Sequence, residues 1–464
     1  MLDFKLENCQ VFGRDGNLSI GIGHGRILAI EEIIRDPAKK IIDMQGKLAV
    51  PGFIDSHAHL LSLGLENTRV GLFSSKTRED AIKRIKDGSK DAKRKIVVAY
   101  RWDESLWGET DYLTRSELDV VKKPVVAFRR DGHMATLNSA ALKIVDREDV
   151  KDGVLKEGEL RLLDEIVSPD DDERAAALKE SQEIAIREGV TAVRDMIDRK
   201  TYDAYNVING KIRIFRTVYD RDIFNGLGVK NTQDWGVKTF LDGSIGARTA
   251  AHGQWPERNL IRNAGEFENL CVTIWSQNLP VAAHAIGENA VDTAVKVFSS
   301  HSGRFRNSIE HFELMPDGIL ERLNRSIVIS SQPNFLEWAG RNGMYEDRLG
   351  KEWLKRNNPF RDILDAGLPL AFGSDTMPLG PMYGIHFAIN SEYRQQRINL
   401  DEAIKCYTEG GAYVLGTENC MGKIEEGYLA DMVFFDQNLI KESKNLKNIK
   451  PSDVMVDGKF IQSK

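Results

Sequence analysis

The chain has 464 residues, 41% hydrophobic and 29% charged, a composition typical of globular proteins and a length that predicts one large domain with a smaller one beside it. Its net charge of −6 provides no basic surface for nucleic acid or an anionic membrane. Four cysteines, scattered without a C-x-x-C pair, argue against a disulfide framework and against a thiolate zinc site.

The chain also lacks the sequence features of a secreted or membrane protein. No apolar run approaches the roughly 20 residues that span a bilayer. The first ten residues, MLDFKLENCQ, have neither the basic nor the apolar region of a signal peptide. We therefore expect a protein of the reducing cytoplasm.

Both ends of the chain are predicted to form short antiparallel strands with glycine turns. In residues 1–50 these strands are FKLENCQVF, LSIGIGHGRILAI and KKIIDMQGKLAV. In residues 416–464 they are MGKIEEGYLADMVFFD and DVMVDGKFI.

Residues 51–415 have a different pattern, in which apolar runs alternate with helix-like stretches. The runs are AVPGFIDSHAH, GVTAVRDM, KIRIFRTVY, GVKTFLDG, LPVAAHAIG, NSIEHFE, IVISSQPNF and LPLAFGSD. Eight such units predict an α/β fold, a (β/α)8 TIM barrel with a parallel sheet inside a ring of helices. Barrel strands are buried on both sides, which explains why the runs are almost continuously apolar.

Residues 77–175 do not fit the barrel count. They contain two further strand-like runs, KIVVAYRWDE and KPVVAFRRDGH, and an apparent helix at Arg78–Asp91. We predict an insertion after the first barrel strand that extends from the C-terminal face of the barrel and covers the site there.

Polar side chains recur where the predicted barrel strands end. His57 and His59 end the first strand, and residues i and i+2 of a strand share a face, so both rings point the same way. The other strands supply four more residues, namely Lys238, His284, His311 and Asp375. The carboxyl ends of barrel strands converge on one mouth. Imidazole and carboxylate ligands without thiolates predict a divalent metal site, with zinc favoured over manganese or iron.

Each of these residues also has a plainer interpretation. His57 and His59 can be two ordinary histidines at a strand end. Lys238 can be an ordinary strand lysine whose stem crosses the barrel wall. Asp375 can be a helix N-cap, and His284 and His311 can be hydrogen-bonded core histidines. The coincidence of so many ligand types at strand ends favours the metal site.

At this point the sequence resembles the amidohydrolase superfamily. The residues that carry the resemblance are GFIDSHAH in the first barrel strand, a lysine in the fourth, single histidines in the fifth and sixth, and GSD in the eighth. Five further segments resemble the N-substituted formamide deformylase-like (YtcJ-like) branch, namely RRDGHMATLNSAAL, KTFLDGSIGARTA, AAHAIGENAV, IEHFELMPD and SSQPNF. The resemblance implies that both chain ends build one small β-sandwich. The segment after DGHMATLNSAAL is shorter and more charged than the branch implies, so the substrate pocket is expected to differ.

The resemblance also implies roles for the strand-end residues. His57 and His59 would bind the more buried of two metal ions, and His284 and His311 the more exposed one. Lys238, carboxylated on its amine, would bridge the two ions. Asp375 would ligate metal and pass a proton from a metal-bound hydroxide to the leaving nitrogen.

Five residues outside this ligand set are further candidates. His133 is expected to form a hydrogen bond with the substrate carbonyl or to stabilise a turn. Arg248 either orders the loop after Lys238 or touches substrate. Trp102 and Trp338 either line an apolar substrate pocket or pack the insertion. Asp55 is expected to orient His57 or the strand end.

Together these features predict a metal-dependent hydrolase that cleaves a non-peptide C–N bond of a small molecule, in an amide, formamide or cyclic amide. Ring deamination and ester hydrolysis on the same site remain alternatives, as does a regulatory or ligand-binding protein without activity. The expected partners are the substrate and, if the chain self-associates, a second copy in a homodimer, with no nucleic acid and no membrane.

Overall fold

The computed structural model describes residues 1–91, 95–208, 210–228, 233–253, 255, 260–301, 303, 305–340 and 343–461. Its strands, numbered along the chain, are β1 (Leu2–Val11), β2 (Asn17–Gly23), β3 (Arg26–Glu31), β4 (Ala38–Asp43), β5 (Leu48–Pro51), β6 (Phe53–Ala58), β7 (Val70–Gly71), β8 (Val97–Trp102), β9 (Val125–Arg129), β10 (Met134–Leu137), β11 (Val154–Lys156), β12 (Val190–Ile197), β13 (Arg213–Tyr219), β14 (Asp234–Phe240), β15 (Val281–Ala285), β16 (Asn307–His311), β17 (Ile327–Ser331), β18 (Leu370–Phe372), β19 (Met432–Phe435), β20 (Asp453–Val456) and β21 (Lys459–Ile461).

The α-helices are α1 (Leu60–Thr68), α2 (Arg78–Gly88), α3 (Arg115–Leu118), α4 (Ser139–Ile144), α5 (Asp164–Val167), α6 (Asp171–Arg187), α7 (Arg199–Tyr205), α8 (Asp220–Phe224), α9 (Ala264–Ser276), α10 (Glu288–Ser300), α11 (Met344–Leu354), α12 (Phe360–Asp365), α13 (Pro381–Asn390), α14 (Leu400–Cys406) and α15 (Glu409–Leu415). Short 3₁₀ turns lie at Glu104–Trp107, Glu157–Leu163, Leu320–Arg322, Pro333–Glu337 and Leu446–Asn448. Among the described residues, no helix combines the length and apolar content that crossing a bilayer requires.

The predicted barrel is confirmed. Its eight parallel strands are β6 and β12–β18, in chain order around the sheet, and they correspond to the eight apolar runs of the sequence. Strands β6, β12, β15, β16 and β17 are buried at every residue, as strands enclosed by helices should be. The peptide N–H of Asp375, just after β18, donates to the carbonyl of His57 in β6 at 2.8 Å. This bond brings the first and last strands together at the barrel mouth.

The two chain ends form one mixed sheet, which confirms that they fold together. The eight-stranded sheet runs β21-β20-β19-β5-β1-β2-β3, with β4 paired to β1 beside β5. Buried side chains of β1, β2, β5, β19 and β20 form an apolar core of their own. This part supports the barrel from outside and contributes none of the strand-end residues described above.

The predicted insertion is also confirmed. A five-stranded sheet in the order β11-β10-β9-β8-β7 lies between α1 and the second barrel strand, β12. Its apolar residues form two cores separate from the core of the barrel. The insertion was predicted to cover residues 77–175. Its sheet begins earlier, at Val70, and α6 packs on α1 and on β12 of the barrel. The exact limits of the three parts stay predictions.

Candidate metal centre

The structure brings the six predicted ligands together at the mouth of the barrel. The Nε2 atom of His57 lies 3.5 Å from Nζ of Lys238 and 3.6 Å from Oδ1 of Asp375. The Nε2 atom of His59 lies 3.0 Å from the same Asp375 oxygen. The fold therefore places residues from both ends of the barrel sequence within bonding distance of one another.

Three of these residues form the tightest group. His57, His311 and Asp375 each offer one ligand atom, and these atoms lie within 4.8 Å of one another. The ring of His284 lies beside that of His311, with centroids 4.4 Å apart. Ligand atoms this close, contributed by imidazoles and a carboxylate, suit zinc or a similar divalent ion.

Glu310 determines which nitrogen of His57 carries the proton. Its Oε2 lies 2.6 Å from Nδ1 of His57, and its Oε1 accepts from Arg194 Nη2 at 2.6 Å, with all three side chains buried. Burial alone would raise the pKa of Glu310, but Arg194 and Lys238 hold it below its usual value, so the carboxylate only accepts. The proton of His57 therefore sits on Nδ1, and the lone pair of Nε2 faces the centre.

His284 and His311 are fixed in the same way. Nε2 of His284 donates to the Gly243 carbonyl at 3.0 Å, and Nδ1 of His311 donates to Oε1 of Gln332 at 2.7 Å. Each ring thus keeps one unprotonated nitrogen. Burial is the main cause that lowers the pKa of both rings and of His57, which favours the neutral form that binds metal. The donor set therefore fits a bound divalent cation.

Asp375 and Lys238 carry the remaining charges of the centre. Burial would raise the pKa of Asp375, but the hydrogen bond from His59 and the nearby His57 and Lys238 hold it below its usual value. Burial lowers the pKa of Lys238 to about 8. At neutral pH the centre therefore holds an ionised carboxylate and a lysine that loses its proton more easily than usual.

Asp55 acts on the backbone and not on the imidazole of His57. Its carboxylate accepts from the His57 N–H at 3.1 Å, the Ser374 N–H at 3.0 Å and the Ser374 hydroxyl at 2.5 Å. It therefore ties the end of β6 to the residue before Asp375.

His133 lies on the insertion and faces the centre from above. It follows β9, and its ring centroid is 5.1 Å from that of His284. Burial opposes the charge of the ring, but three nearby carboxylates favour it and raise the pKa of His133 to about 9. They belong to Glu157, Asp131 and Asp375, and Oε2 of Glu157 lies 3.0 Å from Nδ1 of His133. A protonated donor thus lines the cleft beside the candidate ligands.

The other three substrate-contact candidates lie in different places. Trp338 lines the cleft, and its indole N–H donates to Asp103 at 3.0 Å. Trp102 is fully buried in the insertion core, where its N–H donates to the Ala127 carbonyl at 2.9 Å. Arg248 is half-exposed and faces Asp347. The structure therefore brings Trp338, but not Trp102 or Arg248, to the cleft.

Comparison with known proteins agrees with this geometry. Residues 40–462 match the family described as the amidohydrolase family. The chain belongs to the amidohydrolase family. It is 25% identical to YtcJ of Bacillus subtilis over 91% of this chain and 89% of that protein. It is 22% identical to the N-substituted formamide deformylase of Arthrobacter pascens, covering 91% of this chain and 90% of the relative.

A solved structure supports the same conclusion. The crystal structure of a metal-dependent hydrolase from Pyrococcus horikoshii matches with a TM-score of 0.77 and 27% identity, covering 96% of this chain and 98% of that one. The resemblance inferred from the motifs is confirmed. This amidohydrolase is a metal-dependent hydrolase, with His57, His311 and Asp375 as its candidate metal site.

Sequence reasoning missed the residues that orient the ligands of this amidohydrolase. Glu310 had one available signal, since it directly precedes His311 in the sixth strand. Gln332 lies in the SSQPNF segment that carried part of the resemblance. Arg194 and Glu157 had no local signal, because their partners lie 116 and 24 residues away in the chain.

We expect Glu310→Gln to weaken divalent metal binding about 10–100-fold, the usual effect of removing a carboxylate behind a ligating histidine. The amide can present an N–H to His57, which would favour the wrong tautomer, and it leaves Arg194 unpaired. Competition with a chromophoric zinc chelator measures the affinity. The matched control is Glu418→Gln, which breaks a partly buried ion pair with Arg306 away from the centre. Equal affinities for both variants and the parent would show that Glu310 does not orient His57.

Proposed function

We propose that this amidohydrolase cleaves a non-peptide C–N bond of a small molecule, in an amide, formamide or cyclic amide. The observation that carries the proposal is the orientation of His57, His284 and His311, each of which keeps an unprotonated nitrogen, beside the protonated His133. The ligand atoms of His57 and His311 lie close to that of Asp375. A relative over most of the chain is named an N-substituted formamide deformylase, which supports this bond class.

The metal complement belongs to the same proposal. His57 and His59 would hold one divalent ion and His284 and His311 a second, both probed first as zinc, and Asp375 would be a further ligand. Carboxylated Lys238 would bridge them. When bound, such ions lower the pKa of a coordinated water and polarise the substrate carbonyl. The lowered pKa of Lys238 supports carboxylation, because CO₂ adds to the neutral amine.

The protein's own groups then handle protons and position the substrate. Asp375, ionised at neutral pH, accepts the proton of the attacking water and returns it to the leaving nitrogen. That return matters because an amide anion is a poor leaving group. His133 donates a hydrogen bond to the substrate carbonyl oxygen, where negative charge develops. Trp338 and Phe335 provide an apolar wall of the cleft.

A substrate screen tests the bond class. The protein, reconstituted with zinc, manganese or iron, is offered N-formyl amines, N-acyl amines and cyclic amides, with matched esters and ring amines alongside. We expect metal-dependent turnover of at least one amide class. Turnover confined to esters or to ring amino groups would replace amide cleavage with those reactions, and no turnover with any metal would overturn the proposal.

The pH dependence of kcat/KM tests the role of His133 as a hydrogen-bond donor to the substrate. We expect kcat/KM to fall on the alkaline side near pH 9, because His133 then loses the proton that it donates. Glu157→Gln removes the carboxylate that raises this pKa, so the alkaline limb should move to lower pH. The control is Glu159→Gln, which changes a carboxylate two residues away that pairs with Arg147. An alkaline limb that stays in place in Glu157→Gln would assign it to another group.

A further inference from the structure

The turn that carries Asp375 has an unusual backbone. Asp375 and Thr376 both adopt the left-handed conformation, with φ of +50° and +55°. Few residues with side chains adopt it, and β-branched threonine is among the rarest. Consecutive residues of this kind persist only when the surrounding structure fixes them, and such strain concentrates at functional sites. The contacts around the turn therefore decide where the carboxylate of Asp375 points.

The barrel fixes the turn from below. Asp55 binds the Ser374 N–H and hydroxyl, as described above. The side-chain amide of Asn334, just after β17, donates to the Ser374 carbonyl at 2.8 Å and to the Met377 carbonyl at 2.9 Å. Two barrel strands thus hold both ends of the turn.

The insertion fixes the same turn from above through two arginines. Nη2 of Arg101, in β8, donates to the Thr376 hydroxyl at 3.0 Å. That hydroxyl donates in turn to the Asp375 carbonyl at 2.7 Å. Nη2 of Arg130, directly after β9, donates to the Met377 carbonyl at 2.7 Å. Both arginines are buried, so these bonds are protected from water.

The backbone at Arg101 is shaped for this contact. Arg101 has φ of +70°, and the pairing of β8 with β9 slips between Tyr100 and Trp102. Such a bulge breaks the alternation of side chains along a strand and redirects one of them. The Arg101 guanidinium is further anchored by Glu66 of α1, whose Oε2 lies 3.1 Å from Nε. The bulge therefore places the Arg101 guanidinium between Glu66 of α1 and the Asp375 turn.

We propose that Arg101 and Arg130 are positioning residues for Asp375, so that the docked insertion sets the geometry of proton transfer. The inference rests on the proposed function of Asp375 and adds that this geometry depends on the insertion. Displacing a reacting group by about 1 Å can lower a rate about 10²-fold, so loss of either arginine contact should act on kcat. Substrate binding should change little, because neither arginine lines the cleft.

The test removes the Arg101–Thr376 bond from each side. Arg101→Gln and Thr376→Val should each lower kcat about 10–100-fold with KM within about threefold, and together they should cost little more than one alone. Thr376→Ser keeps the hydroxyl and should restore most of the rate. The matched control is Arg147→Gln, which changes a partly exposed insertion arginine paired with Asp149 and Glu159 and should leave kcat unchanged.

Hydrogen exchange gives a readout that needs no activity. The amides of residues 373–377 and 379 should exchange faster in Arg101→Gln and in Thr376→Val, but not in Arg147→Gln. If the parent protein turns over no substrate, the proposed function fails while this measurement still tests the positioning. If Arg101→Gln does not fold, Thr376→Val tests the bond alone, since it leaves the ion pair with Glu66 in place. The proposal would be overturned if Thr376→Val changed neither kcat nor the amide exchange of the turn. It would also be overturned if, in Arg101→Gln, exchange became faster throughout the insertion while the turn stayed protected.

Discussion

Asp375→Asn should lower kcat about 10²–10⁴-fold in a chain that stays folded, the range expected when a general acid–base group is lost. Asparagine keeps nearly the same shape, and its amide oxygen can still accept from His59. It cannot accept the proton of the attacking water or return one to the leaving nitrogen. Steady-state kinetics on the best substrate of the screen, with thermal unfolding to confirm the fold, measure the effect.

The matched control for this variant is Asp347→Asn. Asp347 is a half-exposed carboxylate that faces Arg248 away from the centre, so its removal should leave kcat within about twofold. Near-normal turnover by Asp375→Asn would show that another group handles the proton, and the roles given to Asp375 and its turn would fall together.

Lys238→Ala should remove at least one metal ion per chain and most of the activity. The amine of Lys238 lies 3.5 Å from Nε2 of His57, inside the group of ligands. A buried ammonium there would repel divalent cations, whereas a negatively charged carbamate on the same nitrogen would attract them. The alanine variant would vacate the proposed bridging position, so added short carboxylic acids should restore part of the metal content and part of the rate.

Lys156→Ala provides the control for losing a partly buried lysine. Lys156 lies in the insertion and donates to the Ala247 carbonyl at 3.0 Å. The Lys156→Ala variant should keep its full metal content, and added carboxylic acids should not change its activity. Two ions and full activity in Lys238→Ala would show that the histidines and Asp375 hold the metal without a bridge.

Much of this arrangement could be predicted from the sequence, because it depends on local rules. A strand places residues i and i+2 on one face, so His57 and His59 were expected to point together. Parallel barrel strands bring their carboxyl ends to one mouth, so His284, His311 and Asp375 were expected to converge there. Continuous apolar runs located the strands themselves.

The parts that escaped prediction depend on contacts between distant segments. The Arg194–Glu310 pair behind His57 joins two strands that each looked like an ordinary buried run. The bulge at Arg101 depends on a shift in the pairing of β8 with β9, and no residue type in the segment KIVVAYRWDE signals that shift. Trp102 was a candidate for the cleft, but its place in the insertion core follows from the packing of β8 on its neighbours.

The most direct test of the account is the metal content of the purified protein by elemental analysis, before and after reconstitution with zinc. We predict about two divalent ions per chain and a parallel rise of amide hydrolysis as they are restored. One tightly bound ion would contradict the paired arrangement alone. A folded chain that binds no metal under any reconstitution would contradict the central claim that His57, His311 and Asp375 form a metal centre.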